Sequence, residues 1–177
     1  MSEQAATPLQ AGRVMRRAVP GDVAAVVEVQ REGAVAALSH VFPQDTHPFP
    51  VDEVRRRWAV EVVDPALRCY VVSHVDEGVL GFAAIRGDEL LHFGTALRTW
   101  GTGLAVEFHD ALLGAFDASR TPRVWLRVFE DNVRARQFYE KLGWRRTGER
   151  SRTSFPPHPT LVHYERDLEE RWAASGD

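Results

Sequence analysis

The segment Thr95–Ala105, T-A-L-R-T-W-G-T-G-L-A, constrains this chain more than any other. It joins an apolar strand pattern (Leu90, Leu91, Phe93) to a helical pattern running from Leu104 to Phe116. A strand, a glycine-spaced turn and a helix start together aim unpartnered backbone N–H groups at one point, where the helix dipole favours an anion. Gly101 and Gly103 keep Cβ atoms out of the path of a bulky phosphate. The segment reads as a pyrophosphate-binding turn, with a tight turn that holds no ligand as the plain alternative.

Three phosphate-binding patterns compete for it. A P-loop needs Lys-Ser or Lys-Thr after its second glycine, and the one lysine of the chain is Lys141. A dinucleotide fingerprint begins well at Gly101 and Gly103 but meets Val106 where its third small residue belongs. The third pattern is a polar residue and spacers followed by Gly-x-Gly/Ala, here Trp100-Gly101-Thr102-Gly103-Leu104-Ala105.

The 177 residues suit one domain, and a net charge of −3 offers no general attraction for nucleic acid or anionic membranes. Arg55-Arg56-Arg57 reads as a solvated helix face. A single cysteine, Cys69, excludes an internal disulfide, sits in an apolar run as a buried thiol, and leaves no clustered metal site to expect. Residues 1–12 carry no apolar leader core, and no run approaches a membrane span, so a cytoplasmic setting is the default expectation.

In chain order, the patterns predict a strand at Val14–Ala18 and a helix opened by Pro20 and Asp22, with an interruption near Gly33. An irregular aromatic loop over 39–50 and a helix marked by Val51, Val54, Trp58 and Val62 follow. Next come strands at Leu67–His74, Val79–Arg86 and Glu89–Leu97, then the helix from Leu104 and a strand at Arg123–Val128. A helix capped by Asp131 or Asn132 stops at Gly143, and strands at Trp144–Arg150 and Leu161–Asp167 close the chain. The order β-α-α-β-β-β-α-β-α-β-β is an α/β fold with helices over a mixed sheet. Residues 1–12 are expected as a flexible tail, 13–169 as one domain and 170–177 as a second tail.

That order and two motifs resemble the GNAT superfamily of acyl-CoA N-acyltransferases over residues 13–169. One motif is the turn Trp100–Ala105. The other, Asp131–Trp144 (D-N-V-R-A-R-Q-F-Y-E-K-L-G-W), is similar to the family's N-x-x-A-x-x-F-Y-x-x-x-G-F/W at every named position. Trp100 departs from the usual Gln or Arg, so its ring would cover the diphosphate or close the turn; Arg98 could lend charge from a shifted position. The resemblance implies a mostly antiparallel sheet with helices on both faces, and acetyl-CoA as co-substrate without a metal. It also implies cofactor contacts at Thr95, Ala96, Leu97, Trp100, Gly101, Thr102, Gly103, Leu104, Ala105, Asn132, Ala135 and Phe138. The strand ending at Leu97 would donate N–H groups to the thioester and splay from Arg123–Val128.

Acyl transfer to an amine needs a neutral nucleophile, donors for the oxyanion and a proton for the departing thiolate. Held in line, the two substrates require no covalent intermediate. Tyr139 lies on the helix face of Ala135 and Leu142, so it points inward. By resemblance it is the acid for the thiolate, and by spacing alone it is equally a core tyrosine. Asn132 serves as cofactor contact, helix cap or both. For the base, Glu89 stands at a position used by some family branches and His92 is the second candidate; strict alternation puts them on opposite faces of the sheet. A water chain is a third possibility. Acceptor contacts are expected from His40, Phe42, His47, Phe155 and His158 in the two irregular loops.

The expected activity is acetyl transfer from acetyl-CoA to a small-molecule amine, with a homodimer possible. A protein N-terminus or lysine as acceptor, a non-catalytic acyl-CoA sensor and a dinucleotide-dependent oxidoreductase are the competing readings.

Overall fold

The computed structural model describes residues 6–116 and 121–168; the predicted C-terminal tail lies outside them. One eight-stranded sheet runs in the order β1-β2-β3-β4-β5-β6-β8-β7. Its strands are β1 (Thr7–Pro8), β2 (Val14–Arg17), β3 (Leu67–His74), β4 (Gly78–Arg86), β5 (Glu89–Thr95), β6 (Arg123–Phe129), β7 (Arg145–Arg152) and β8 (Thr160–Asp167). All pairings are antiparallel except β5 with β6. Thr7–Pro8, inside the segment expected as a tail, pairs with β2.

Helices α1 (Val23–Leu38) and α2 (Val51–Glu61) cover one face; α3 (Leu104–Ala115) and α4 (Val133–Lys141) cover the other. Strand β4 explains why the core is double. Leu80, Ala83 and Ile85 join the α3/α4 core, whereas Phe82 and Ala84 join the α1/α2 core, so the strand is apolar on both sides. Helix α1 runs unbroken through Gly33, where the sequence suggests an interruption, and buries Val23, Val26 and Val27 in its first turns.

On the α3/α4 face, the Trp144 indole N–H donates to Nε2 of the fully buried His109 at 2.9 Å, tying the end of α4 to α3. Asn132 caps α4 by accepting from the Ala135 N–H at 3.1 Å. Strand β5 ends two residues earlier than its apolar pattern suggests. The Thr99 hydroxyl and N–H both donate to Ala96 O, at 2.7 and 2.8 Å, and fold Leu97–Thr99 into a 3-10 turn.

Candidate active site

Strands β5 and β6 share one register pair, Glu89 with Trp125, and then separate. Ala96 N–H donates to Leu80 O at 2.8 Å across β4. By the alternation of an antiparallel ladder, Gly94 and His92 also spend their main-chain groups on β4, which leaves Phe93 and Thr95 facing the gap. The splay implied by the resemblance is present. Ala96, however, cannot offer the N–H expected of it, because Leu80 holds that donor.

At the end of the gap the chain turns with Gly101 at φ +80° and Gly103 at φ +88°, values that favour glycine. Thr102 secures the turn by donating its hydroxyl to Thr99 O at 2.7 Å. The N–H groups of Gly101, Gly103, Leu104 and Ala105 have no partner among the described residues. A Cβ placed on either glycine would meet nothing within 4 Å, so no neighbouring atom crowds the outside of the turn there. Such a cradle fits a diphosphate.

Trp100 closes the turn from the other side: its indole N–H donates to Thr95 O at 3.1 Å. Arg134 of α4 lays its guanidinium 4.1 Å from the centre of that ring and has no ion pair among the described residues. Arg98 points elsewhere, donating to Glu77 O at 3.0 Å in the β3–β4 turn.

Tyr139 of α4 reaches the α3/α4 core beside the gap, with its ring centre 6.5 Å from that of Phe93. It is 8% exposed, and its hydroxyl has no hydrogen-bond partner among the described residues. Burial pushes its phenol well above the usual tyrosine value, since the charged form loses its hydration. Phe138 stacks on Phe93 at 5.8 Å, and Ala135 packs half-buried against the same core.

The two candidate bases lie on one face rather than on opposite faces. Ala84 pairs with His92 and Ile85 with Leu90, so Leu91 is an extra residue in β5. A bulge of this kind shifts the alternation by one and brings Glu89 and His92 to the α1/α2 side together. Their surroundings differ. Glu89 is 2% exposed and clamped by Arg86 at 2.6 Å and Arg127 at 2.7 Å, which leaves its carboxylate committed to an ion-pair cluster. His92 bonds through Nε2 to the Glu61 carboxylate at 2.9 Å and packs against Trp58. An ionised carboxylate only accepts, so Nε2 is the donor of this bond and Nδ1 is the ring nitrogen left over for a second partner.

His92 of β5 and Phe129 of β6 both line a cavity of about 350 Å³ on that face. Both strands that border the gap therefore contribute to its wall. Of the expected acceptor contacts, Phe42, His47 and Phe155 line the cavity. His40 instead bonds Asp131 O at 2.8 Å, and His158 is turned to Thr153 O at 3.1 Å; both are exposed and neither lines it. Gln44 stitches the 39–50 loop together, donating to Phe42 O at 2.8 Å and accepting from Phe49 N at 3.1 Å. Arg57 of α2 lies 4.7 Å from the Phe155 ring centre and bridges the second loop to the helix.

A family model for the acetyltransferase (GNAT) domain matches residues 13–145. The chain belongs to the GNAT acetyltransferases. Its fold is similar to that of spermidine N-acetyltransferase from Vibrio cholerae, solved with CoA and spermine, at TM-score 0.67 and 15% identity over 92% of this chain and 99% of that one. An acetyltransferase from Thermus thermophilus is similar at TM-score 0.62 and 16% identity, over 88% and 96% of the two chains. No curated protein matches this GNAT chain in sequence.

As a GNAT member the protein is an acetyl-CoA-dependent N-acetyltransferase. Two of the neighbours that shape its site escaped the sequence reading. Arg134 sits inside the second motif, between Asn132 and Ala135, where only its reach to Trp100 distinguishes it from a surface arginine. Glu61 meets His92 across 31 residues of chain, a pairing that local pattern does not carry.

Proposed function

We propose that this GNAT acetyltransferase moves the acetyl group of acetyl-CoA to a primary amine of a small molecule, with both substrates bound together. The observation that carries this reading is the gap between β5 and β6, which has Tyr139 beside it on one face of the sheet and the His92 cavity on the other. Loops 39–50 and 153–158 wall the cavity, which favours a small acceptor over a peptide.

The free amides of Gly101, Gly103, Leu104 and Ala105 hold the diphosphate, and Arg134, kept in place by Trp100, supplies the positive charge that this turn otherwise lacks. Main-chain groups of Phe93 and Thr95 line the thioester and stabilise the developing oxyanion. The amine nitrogen attacks the carbonyl carbon and the carbon–sulfur bond breaks. His92 Nδ1 takes the amine proton, with Glu61 fixing the ring, and Tyr139 donates its phenolic proton to the leaving sulfur. A phenol kept protonated by burial suits that donation.

Thiol release from acetyl-CoA in the presence of amines tests the reading. Tyr139→Phe should lower kcat about 10²-fold, the usual scale of one acid–base group, with KM for acetyl-CoA within about twofold of the wild type. An unchanged kcat would remove Tyr139 from the mechanism.

A further inference from the structure

Resting on the reading above, we infer that the acceptor is a monoamine with an aromatic, apolar body rather than a polyamine. The cavity beside His92 is walled by the rings of Phe42, Phe49, Trp58, Phe129 and Phe155. Phe42 meets Phe129 edge-on at 5.3 Å, so the 39–50 loop and β6 share one aromatic patch in its wall. Among the described residues its lining contains one carboxylate, Glu53, and that group lies 4.0 Å from the guanidinium of Arg57, which lines the cavity too.

A polyamine brings two or more ammonium groups besides the one that reacts. Each would leave water for a cavity whose one lining carboxylate among the described residues, Glu53, is shared with the guanidinium of Arg57, and a charge moved from water without its own counter-ion is costly. Arg57 would repel them further. An aromatic amine carries one ammonium, which gives its proton to solvent before attack and leaves His92 for the proton lost as the amide forms, and its ring exchanges water for the aromatic walls. The cavity therefore selects against the amine class named for the Vibrio cholerae protein, whose fold it shares.

The test compares kcat/KM for 2-phenylethylamine and tryptamine with that for spermidine, reading thiol release from acetyl-CoA. The aromatic amines should lead by at least about tenfold, a scale that hydrophobic pockets reach. Phe155→Ala should raise KM for the aromatic amines by about fivefold to tenfold, and Phe155→Leu should restore much of the loss. Spermidine turned over as well as or better than the aromatic amines would overturn the inference, as would a Phe155→Ala effect equal for both classes. Thermal stabilisation by CoA without thiol release from any of the three would also overturn it. A chain that CoA does not stabilise at all would instead contradict the proposed function itself.

Discussion

Glu89 and His92 show how a residue's partners decide its chemistry. Both are titratable, three positions apart on one strand, yet two arginines occupy the first while the second lines a cavity with one ring nitrogen bonded to Glu61 and no partner for the other among the described residues. Glu89→Gln should cost about 3 kcal/mol of stability, since it breaks a buried ion pair and leaves Arg127 short of its partner. Denaturant unfolding measures that loss, and the pH profile of kcat/KM should keep its shape. A profile that loses a limb would make Glu89 the base. At the turn, Arg134→Gln should raise KM for acetyl-CoA about fivefold to tenfold through loss of one charge-assisted contact, with kcat unchanged in steady-state assays. A kcat loss at constant KM would place Arg134 elsewhere in the reaction.

Elements were largely legible in the sequence where a period was strong. Helix α4 follows from the one-sided spacing of Ala135, Phe138, Tyr139 and Leu142, with Asn132 rather than Asp131 taking the cap, and β4 follows from its apolar run. Irregularity was not legible. The extra residue at Leu91 reverses the alternation of β5, and no composition signal marks it because Leu90, Leu91 and His92 suit either face. The early end of β5 depends on Thr99 reaching back to Ala96, again a choice between two local hydrogen-bond patterns. The junction between β2 and α1 gives an element-scale prediction. Asp22 accepts two bonds from Arg16, at 2.8 and 2.9 Å, and one from Val19 N–H at 2.9 Å. The Arg16 guanidinium beside it holds its carboxyl below the usual aspartate range. A lowered folded-state pKa stabilises above the unfolded value and is lost as pH falls through the folded one. Asp22→Asn should therefore cost about 2 kcal/mol at pH 7, and calorimetry should find the gap in Tm closing on acidification below about pH 4. A gap that does not change with pH would contradict the ion-pair account.

At the scale of the molecule, the sheet carries two cores and parts between β5 and β6, the parting on which the proposed reaction depends. The acceptor side was only half legible: aromatic loops announced a pocket, whereas which of their residues would line it depended on tertiary contacts such as His40 to Asp131 O. The most direct measurement is a crystal structure of this chain with CoA. The account predicts the diphosphate on the amides of Gly101–Ala105, the pantetheine arm between β5 and β6, and the sulfur within about 4 Å of the Tyr139 hydroxyl, the reach of a hydrogen bond to sulfur. A diphosphate bound away from that turn, or a sulfur remote from Tyr139, would contradict it.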